Sequence, residues 1–502
     1  MLTRLAYRSI AILIITSVLF AVASFLQAWT KSHTDIQIHP SIPKAAGIFS
    51  TSRHGPTEPS PKIKDFWAKW SCIFYNSRPT IDPIVVHSPA SVEGSDQANG
   101  ERQPSAHTLN LPQTVISSLY DSHKALLLDR GGLYDSDLNN NSADLFSGTG
   151  IVTVAGGAYF APAIVSIRML RRVSNLPVHV FIADHTEYEP ELCERVFPAL
   201  NAECFTVSDF LAQDSVDVTH FQLKALAILF SSFESILYLD SDCFAVRDPL
   251  EILSSEPFES TGLVTWPDYW KATEDPVFYN IAGMSNFPRG LPARSTESGE
   301  LLISKSKHLS SLLLACYYNI YGPQYYYPIL SQGAAGEGDK ETFLAAAVVL
   351  GLPYYRVREH VGTIGYFTEE GEFKGGAMVQ YHPGDDLNVH NCTWPTEQKT
   401  NAVRPFFLHA HLPKLNVGRM LDESTLTSPA GQALRLWGDK EGIQKLFEGR
   451  DMEKEVWQEM RDTTCALEAV MKDWRERHNL CTRVKEHYLA LFGEGSWLSG
   501  IM

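Results

Sequence analysis

Short apolar runs alternate with segments of helical apolar spacing between residues 150 and 246. The strand-like runs lie at 150–157, 176–184 and 235–240, and the helix-like segments lie at 160–173, 188–200 and 221–233. This alternation is typical of an α/β fold in which helices flank a mostly parallel sheet. Ligands of such sheets bind at the carboxyl ends of the strands, so we expect a site near Gly156, Asp184 and Asp240.

The pattern continues downstream and indicates the limits of the main domain. It predicts a helix at 111–130, a strand at 261–268, a strand that runs into a helix at 298–320, and a glycine-flanked apolar helix at 336–351. Charged amphipathic helices such as 452–477 follow, and these are typical of a cap. The expected organisation is a main domain at 111–430 and a C-terminal helical cap at 431–502.

Residues 31–110 have a different composition. They are rich in Pro, Ser, His and charged residues and show little apolar periodicity, which predicts a mostly irregular stem. One aromatic patch, IKDFWAKWSCIFY at 63–75, does not suit a pure linker. It predicts a short amphipathic helix that docks on the domain or on lipid headgroups, and docking on the domain is the preferred interpretation.

The N-terminus carries a long uncharged segment at 9–30, preceded by Arg4 and Arg8. At about 1.5 Å per helical residue, this segment is long enough to cross a hydrocarbon layer of roughly 30 Å. The basic residues favour a cytoplasmic tail at 1–8 and a retained signal anchor, which makes the membrane a partner of the chain. A cleaved signal peptide is the competing interpretation, because Ala21-Val22-Ala23 resembles a cleavage site. Either interpretation places the remaining chain in a lumen or outside the cell.

Charge and glycosylation signals agree with that placement. The formal net charge is -16, and no long basic run follows the N-terminus, which argues against nucleic acid as a partner. Two tripeptides, Asn140-Asn141-Ser142 and Asn391-Cys392-Thr393, match the N-glycosylation pattern. We therefore expect glycans at Asn140 and Asn391.

Eight cysteines permit disulfides in an oxidising compartment, and their spacing does not match a zinc site. The local pairs Cys193 with Cys204 and Cys465 with Cys481 are the first candidates for disulfides. Cys243 is expected to be a buried core thiol.

The most informative polar pattern is Asp-x-Asp, which occurs twice. Asp135 and Asp137 lie in a Gly- and Asn-rich stretch that is typical of a solvated loop. Asp240 and Asp242 instead end a buried strand, where two adjacent carboxylates need a counter-charge to remain ionised. Hard oxygen ligands of this kind suit Mn²⁺ or Mg²⁺. The alternative is an acidic turn that pairs with Arg247 or caps a helix.

Other strand ends and helices carry candidate ligand-binding residues. Gly156-Gly157 allow close backbone approach to a nucleotide, although a plain tight turn explains them equally well. Lys224 is the only charge in FQLKALAILF, so it either reaches solvent or neutralises a phosphate. Trp266 and Asp268 suit a sugar, with a ring for stacking and a carboxylate for hydroxyls. Core packing accounts for Trp266 about as well.

Several segments together give the chain a resemblance to a known family. They are AGGAYF, FQLKALAILFSSFESILYLDSD, TWPDYW, ESGELLISKSKH, GEGDKETF and FLHAHLPKLN, spread over about 150–416. They resemble the fungal Golgi α-1,2-mannosyltransferases that branch mannan outer chains, which are glycosyltransferases of the GT-A fold. The resemblance implies a type II Golgi membrane protein with a lumenal GT-A domain. It also implies GDP-mannose as donor, a mannose-containing glycan as acceptor, a divalent metal, and retention of configuration.

The resemblance also implies roles for carboxylates in the second half of the domain. Glu297 opens an apolar strand near the donor sugar. Asp339 and Glu341 precede an apolar helix, where Asp339 either binds mannose hydroxyls near the reacting carbon or simply caps the helix. A retaining transfer uses a carboxylate nucleophile or a front-face attack shielded by the leaving diphosphate, and the sequence favours neither. Asp339, Glu341 and Glu297 are therefore the candidate catalytic residues.

A late histidine often completes the metal shell in such enzymes. His409 and His411 follow an apolar run, and alternate residues of a strand point to the same face. His409 is the preferred third ligand, with His411 or Lys414 near the diphosphate. Structural histidines are the alternative interpretation.

Two other functions are compatible with these observations. One is a different Golgi sugar transfer, such as α-1,3-mannosyl or galactosyl transfer. The other is a catalytically silent glycan-binding protein with the same fold, in which Asp240 and Asp242 would matter for stability alone.

Overall fold

A computed structural model describes residues 57–128, 132–133, 138, 141–211, 218–391, 403–422 and 426–493. The predicted anchor at 9–30, the loop copy at Asp135 and Asp137, and the sequon residue Asn140 lie outside these residues. Within the described ranges, no helix combines the length and apolar character needed to span a membrane.

Seven strands form the larger sheet, in the order β3-β2-β1-β4-β7-β6-β8. They are β1 (Thr149–Val154), β2 (Val178–Ile182), β3 (Ala202–Thr206), β4 (Ser235–Leu239), β6 (Leu263–Lys271), β7 (Arg294–Ser304) and β8 (Tyr355–Arg356). Strands β1 to β4 are mutually parallel, and only β7 runs antiparallel to its neighbours β4 and β6. The predicted α/β class with a mostly parallel sheet is confirmed.

A smaller antiparallel sheet has the order β5-β11-β10-β9. Its strands are β5 (Cys243–Ala245), β9 (Gly362–Phe367), β10 (Phe373–Tyr381) and β11 (Pro405–His409). The chain passes from β4 of the larger sheet into β5 of this sheet through Asp240-Ser241-Asp242. In the β11–β5 pairing, His409 lies opposite Cys243. The register therefore brings His409 beside the aspartate pair.

Helices pack on both faces of the larger sheet and around the smaller one. They are α1 (Pro61–Asn76), α2 (Gln113–Leu128), α3 (Phe160–Leu170), α4 (Phe197–Ala199), α5 (Gln222–Phe230), α6 (Leu250–Leu253), α7 (Phe258–Thr261), α8 (Val277–Ile281), α9 (Lys305–Ile320), α10 (Tyr327–Ser331), α11 (Thr342–Val349), α12 (Pro383–Asn391), α13 (Val417–Met420), α14 (Lys440–Leu446), α15 (Met452–Leu467) and α16 (Leu480–Phe492). Every residue of α3 and of α5 is buried, because these helices are mostly apolar and are covered by neighbouring elements on every side. Their charged residues, Arg168 and Lys224, form buried ion pairs.

The aromatic patch at 63–75 forms helix α1, which docks on the domain. Trp67, Trp70 and Phe74 are buried in the larger hydrophobic core. The ring of Trp67 meets that of Phe230 edge-on, with centroids 5.3 Å apart. The prediction of a docking helix is confirmed. The described part of the region expected to be a mostly irregular stem thus contributes a full helix and core residues.

Two disulfides form as the local spacing predicted. Cys193 bonds to Cys204 in β3, and Cys465 in α15 bonds to Cys481 in α16. Cys243 is free and buried, also as expected. The C-terminal helices α15 and α16 are thereby linked covalently.

A buried histidine gives the fold a predictable dependence on pH. His123 in α2 is 1% exposed, its Nε2 lies 2.8 Å from the hydroxyl of Tyr318, and burial lowers the pKa of His123 to about 4. The pKa of an unfolded histidine is about 6.5, so between that pH and 4 the unfolded chain takes up a proton that the folded protein does not. The free energy of unfolding is therefore highest above pH 6.5 and decreases as the pH falls towards 4. Between pH 7.5 and pH 5 we expect His123 to lower the free energy of unfolding by about 2 kcal/mol.

Urea unfolding at the two pH values measures this effect. The variant His123→Gln should show a pH dependence smaller by that amount, because glutamine does not titrate. Equal pH dependence in the variant and the natural protein would contradict the assignment.

Candidate active site

The aspartate pair lies in the turn that joins the two sheets. The Asp240 N–H donates to the Gly299 carbonyl at 2.8 Å, and the Cys243 N–H donates back to the Asp240 carbonyl at 2.9 Å. The Asp242 carbonyl accepts the Ala410 N–H at 2.9 Å. The Asp240 side chain is 31% exposed, whereas that of Asp242 is 2% exposed. The turn therefore holds one carboxylate at the surface and one inside.

His409 and Lys414 supply the positive charge around Asp242. His409 Nε2 lies 3.2 Å from Asp242 Oδ1, and its Nδ1 lies 3.4 Å from Glu297 Oε1. Lys414 Nζ donates to Asp242 Oδ2. Arg247, considered as a partner for the aspartates, instead forms an ion pair with Glu448. The interpretation of an acidic turn paired with Arg247 is therefore wrong.

The charges in this cluster depend strongly on one another. Burial alone would raise the pKa of Asp242, but the charges of His409 and Lys414 outweigh burial and hold that pKa well below its usual range. For Glu297, burial is likewise outweighed by the hydrogen bond and charge of His409, so its pKa falls to about 2. Burial works against a charged His409, yet Asp242 and Glu297 raise its pKa well above the ordinary value. The cluster is built to hold positive charge between carboxylates.

The donor atoms suit a divalent cation. Among the described residues, Asp240, Asp242 and His409 are the one group of three acidic, histidine or cysteine side chains whose ligand atoms all lie within 4.8 Å of one another. Two carboxylate oxygens and an imidazole nitrogen are a common ligand set for divalent metals in proteins. His411 is outside this group, so the geometry favours His409 over His411 as third ligand.

Lys224 connects the aspartate pair to Asp339, which lies shortly before helix α11. Its Nζ lies 3.2 Å from Asp240 Oδ1 and 3.1 Å from Asp339 Oδ2, and it donates to the Ser298 carbonyl at 2.6 Å. The Lys224 side chain is 7% exposed, so the alternative that it reaches solvent is wrong. The N-cap residue of α11 is Glu341 and no side-chain hydrogen bond caps this helix, so the interpretation of Asp339 as a simple helix cap is wrong. The ion pair with Lys224 holds Asp339 next to the aspartate pair.

Asp268 and Glu341 are held in separate buried ion pairs. Lys340 Nζ donates to Asp268 Oδ2 at 2.6 Å. Glu341 Oε1 accepts the Thr296 N–H at 2.7 Å, and Arg102 Nη2 lies 3.4 Å from Glu341 Oε2. Both oxygens of the Glu341 carboxylate are therefore engaged, one by the backbone of β7 and the other by Arg102. This placement differs from the catalytic role that was expected for Glu341. Glu341 instead holds the strand that carries Glu297.

Trp266 is also placed differently from the expectation. Its side chain is fully buried, its Nε1 donates to the Tyr381 carbonyl at 2.8 Å, and its ring packs edge-on against Phe407. A ring enclosed in this way has no face for a sugar, so the expectation of sugar stacking by Trp266 is wrong and core packing is correct.

Gly156 and Gly157 both have positive φ, at 143° and 49°, which explains glycine at these turn positions.

Tyr238 and Arg102 belong to this region but were not identified from the sequence. The Tyr238 hydroxyl donates to Asp240 Oδ1 at 2.8 Å. Strand alternation places Tyr238 and Asp240 on one face, so this contact could have been predicted from the sequence. No sequence pattern predicted the position of Arg102, because it lies in a segment without periodicity.

The expected glycosylation site Asn391 ends α12, and its side chain lies outside the described residues.

Comparison with known proteins defines the class of this chain. Residues 148–292 and 283–382 match a sequence-family model described as "Mannosyltransferase putative". Alpha-1,2-mannosyltransferase MNN21 of Candida albicans is 32% identical over 491 residues, covering 83% of this chain and 73% of that protein. Alpha-1,2-mannosyltransferase MNN2 of Saccharomyces cerevisiae is 39% identical over 316 residues, covering 54% of this chain and 51% of that protein. The chain thus spans about half the length of the latter relative.

Among solved structures, the galactosyltransferase LgtC in complex with donor and acceptor sugar analogs is similar with a TM-score of 0.26 and 18% identity. That match covers 41% of this chain and 73% of LgtC. The assignment depends on the sequence relatives, which make the chain a glycosyltransferase. It belongs to the family of fungal alpha-1,2-mannosyltransferases.

Proposed function

We propose that this protein transfers mannose from GDP-mannose to a mannose hydroxyl of a glycan acceptor on glycoprotein mannan or N-glycan outer chains. The linkage formed is α-1,2, and the configuration at the transferred carbon is retained. The observation that carries this proposal is the cluster of Asp240, Asp242 and His409 in a member of the α-1,2-mannosyltransferase family. The proposed fold is of the GT-A type, with which an Asp-x-Asp at a strand end agrees.

Asp240, Asp242 and His409 would hold Mn²⁺ or Mg²⁺. The bound ion would supply positive charge that stabilises the diphosphate as it leaves. Lys414, which is 46% exposed beside Asp242, is free to reach phosphate oxygens in addition. Lys224 is enclosed between Asp240 and Asp339, so its role is to hold these two carboxylates together.

Asp339 and Glu297 are the proposed contacts to the mannose being transferred. Both carboxylates lie next to the cluster, Asp339 through Lys224 and Glu297 through His409. Burial raises the pKa of Asp339 although the charge of Lys224 opposes it. Three further residues complete the proposed donor site. The backbone of Gly156 and Gly157 would approach the nucleotide, and the carboxylate of Asp268 would accept hydrogen bonds from sugar hydroxyls.

We further propose a single-pass type II protein of the Golgi membrane. The tail at 1–8 and anchor at 9–30 would precede a stem at 31–110, a lumenal catalytic domain at 111–430 and a helical cap at 431–502. The two disulfides support an oxidising compartment, in agreement with a lumenal domain. Glycans at Asn140 and Asn391 are expected to be attached there.

A donor panel tests the proposed function. With manganese and a mannose-containing acceptor, we expect turnover of GDP-mannose, no turnover of UDP-galactose or other nucleotide sugars, and loss of turnover when a chelator removes the metal. Digestion of the product by an α-1,2-specific mannosidase identifies the linkage. Turnover of UDP-galactose, or a product resistant to that mannosidase, would contradict the proposal. Glycan binding without any transfer would favour the silent binding protein.

A further inference from the structure

The carboxylate of Glu187 occupies the space that a side chain at position 156 would fill. Gly156 follows β1 and Glu187 follows β2, so both lie at the carboxyl ends of adjacent parallel strands. A Cβ atom added to Gly156 would collide with Glu187 Oε2. The carboxylate of a neighbouring loop thus lies directly against Gly156, at the carboxyl-terminal edge of the larger sheet.

Among the described residues this carboxylate forms no ion pair within 4 Å, and the exposed His220 acts on it only from a greater distance. No Lys, Arg or His nitrogen described in the structure lies within 4 Å of it, and the side chain is half-buried. Burial raises the pKa of Glu187 and the charge of Asp184 adds to that effect, whereas a backbone hydrogen bond at Ala183 and the charge of His220 oppose it. The adjoining Gly157 faces open space, since a Cβ added there would meet nothing within 4 Å. A half-buried acceptor beside open space can take hydrogen-bond donors from a ligand.

Glu187 is linked to the aspartate pair by a short series of contacts. Lys414, which pairs with Asp242, has its Nζ 5.6 Å from the ring centroid of Tyr159. Tyr159 is 48% exposed, and its N–H donates to the Gly156 carbonyl at 2.9 Å. A nucleoside diphosphate whose phosphates lie at Lys414 would extend its base past the ring of Tyr159 towards Glu187.

We propose that Glu187 recognises the guanine base of the donor, accepting hydrogen bonds from guanine N1–H and from the exocyclic N2 amine. An ionised carboxylate has two acceptor oxygens and no donor. Guanine presents two adjacent donors on one edge, whereas adenine, cytosine and uracil each present an acceptor next to a single donor. The exposed face of Tyr159 supplies a stacking surface for any base, and Glu187 discriminates guanine from the other bases. This inference rests on the proposed function and names the residue that sets its nucleotide specificity.

The test compares GDP with inosine diphosphate, which lacks only the N2 amine. With manganese present, calorimetric titration of the full chain should show GDP binding about tenfold more tightly than inosine diphosphate, as expected for a charge-assisted hydrogen bond. In Glu187→Gln the ratio should fall to within about twofold, because the amide presents a donor where the ligand also presents donors. Glu187→Asp, which keeps the charge and withdraws it by one methylene, should retain part of the preference.

The matched control is Glu191→Gln, which changes an exposed glutamate paired with Arg195 in the same segment and should keep the natural ratio. An unchanged ratio in Glu187→Gln, or equal affinities in the natural protein, would overturn the inference while leaving the proposed function in place. If the natural protein binds neither GDP nor GDP-mannose, the proposed function fails and the inference fails with it.

Discussion

Asp242→Asn is expected to lower the rate of mannose transfer by at least about 10²–10³-fold, because it weakens the binding of the cation that would stabilise the leaving diphosphate. Asparagine has nearly the same shape, but it is a weak ligand for a hard cation and carries no negative charge. The fold should survive, since His409 can lose its proton and Lys414 is 46% exposed and can turn to solvent. A manganese-dependent rise in the melting temperature should disappear together with activity.

The chain contains its own control for this experiment. Asp135-Ser136-Asp137 has the same three letters as Asp240-Ser241-Asp242. Asp135→Asn and Asp137→Asn should leave transfer and the manganese-dependent stabilisation unchanged. If the variant at Asp135 were inactive and the variant at Asp242 active, the assignment of the metal site would be wrong. If the variants at both copies kept full transfer, the assignment of the metal site to the aspartate pair would also be wrong.

Arg102→Met is expected to lower the free energy of unfolding by about 3–5 kcal/mol. Arg102 is 5% exposed and forms ion pairs with Glu274 and Glu341, which are themselves buried. Its Nε also donates to the Pro292 carbonyl at 2.8 Å. Methionine fills much of the same volume but leaves two buried carboxylates without a counter-charge. The change in urea-unfolding free energy at neutral pH measures the effect.

Arg195→Met is the matched control for Arg102. The side chains of Arg195 and of its partner Glu191 are about half exposed, so this ion pair should contribute only about 0–1 kcal/mol. A similar, small loss of stability in both variants would contradict the importance of the buried Arg102 network. A large loss in Arg102→Met alone would show that residues before 111 are needed for the stability of the domain.

The aspartate pair shows what the local sequence pattern can predict about a site. An apolar strand that ends in two carboxylates can be recognised from spacing alone, because strand alternation and burial are encoded in neighbouring residues. The same holds for the helix at 61–76, whose buried Trp67, Trp70 and Phe74 follow helical spacing. The local disulfides were also predictable, since short loops bring their cysteines together.

Other residues were misjudged because their surroundings come from distant segments. Trp266 was expected near the end of a strand next to a candidate site, yet it lies within β6, and the smaller sheet covers its ring and encloses it in the core. Glu341 has the position of a helix-opening carboxylate, but Arg102 reaches it from a segment that the sequence marks as irregular. Neither outcome is visible in the periodicity of either segment.

The sequence by itself determined the α/β class, the order of most strands and helices, and the location of the aspartate pair at a strand end. It offered the two local cysteine pairs as candidates, and the tertiary structure showed that they form disulfides. Only the tertiary structure decided that His409 lies beside Asp242, that Lys224 joins Asp240 to Asp339, and that Glu187 fills the space above Gly156. The physical reason is that spacing along a chain reports which face of an element is apolar. Which distant side chains meet there depends on how strands such as β5 and β11 pair after the chain has folded.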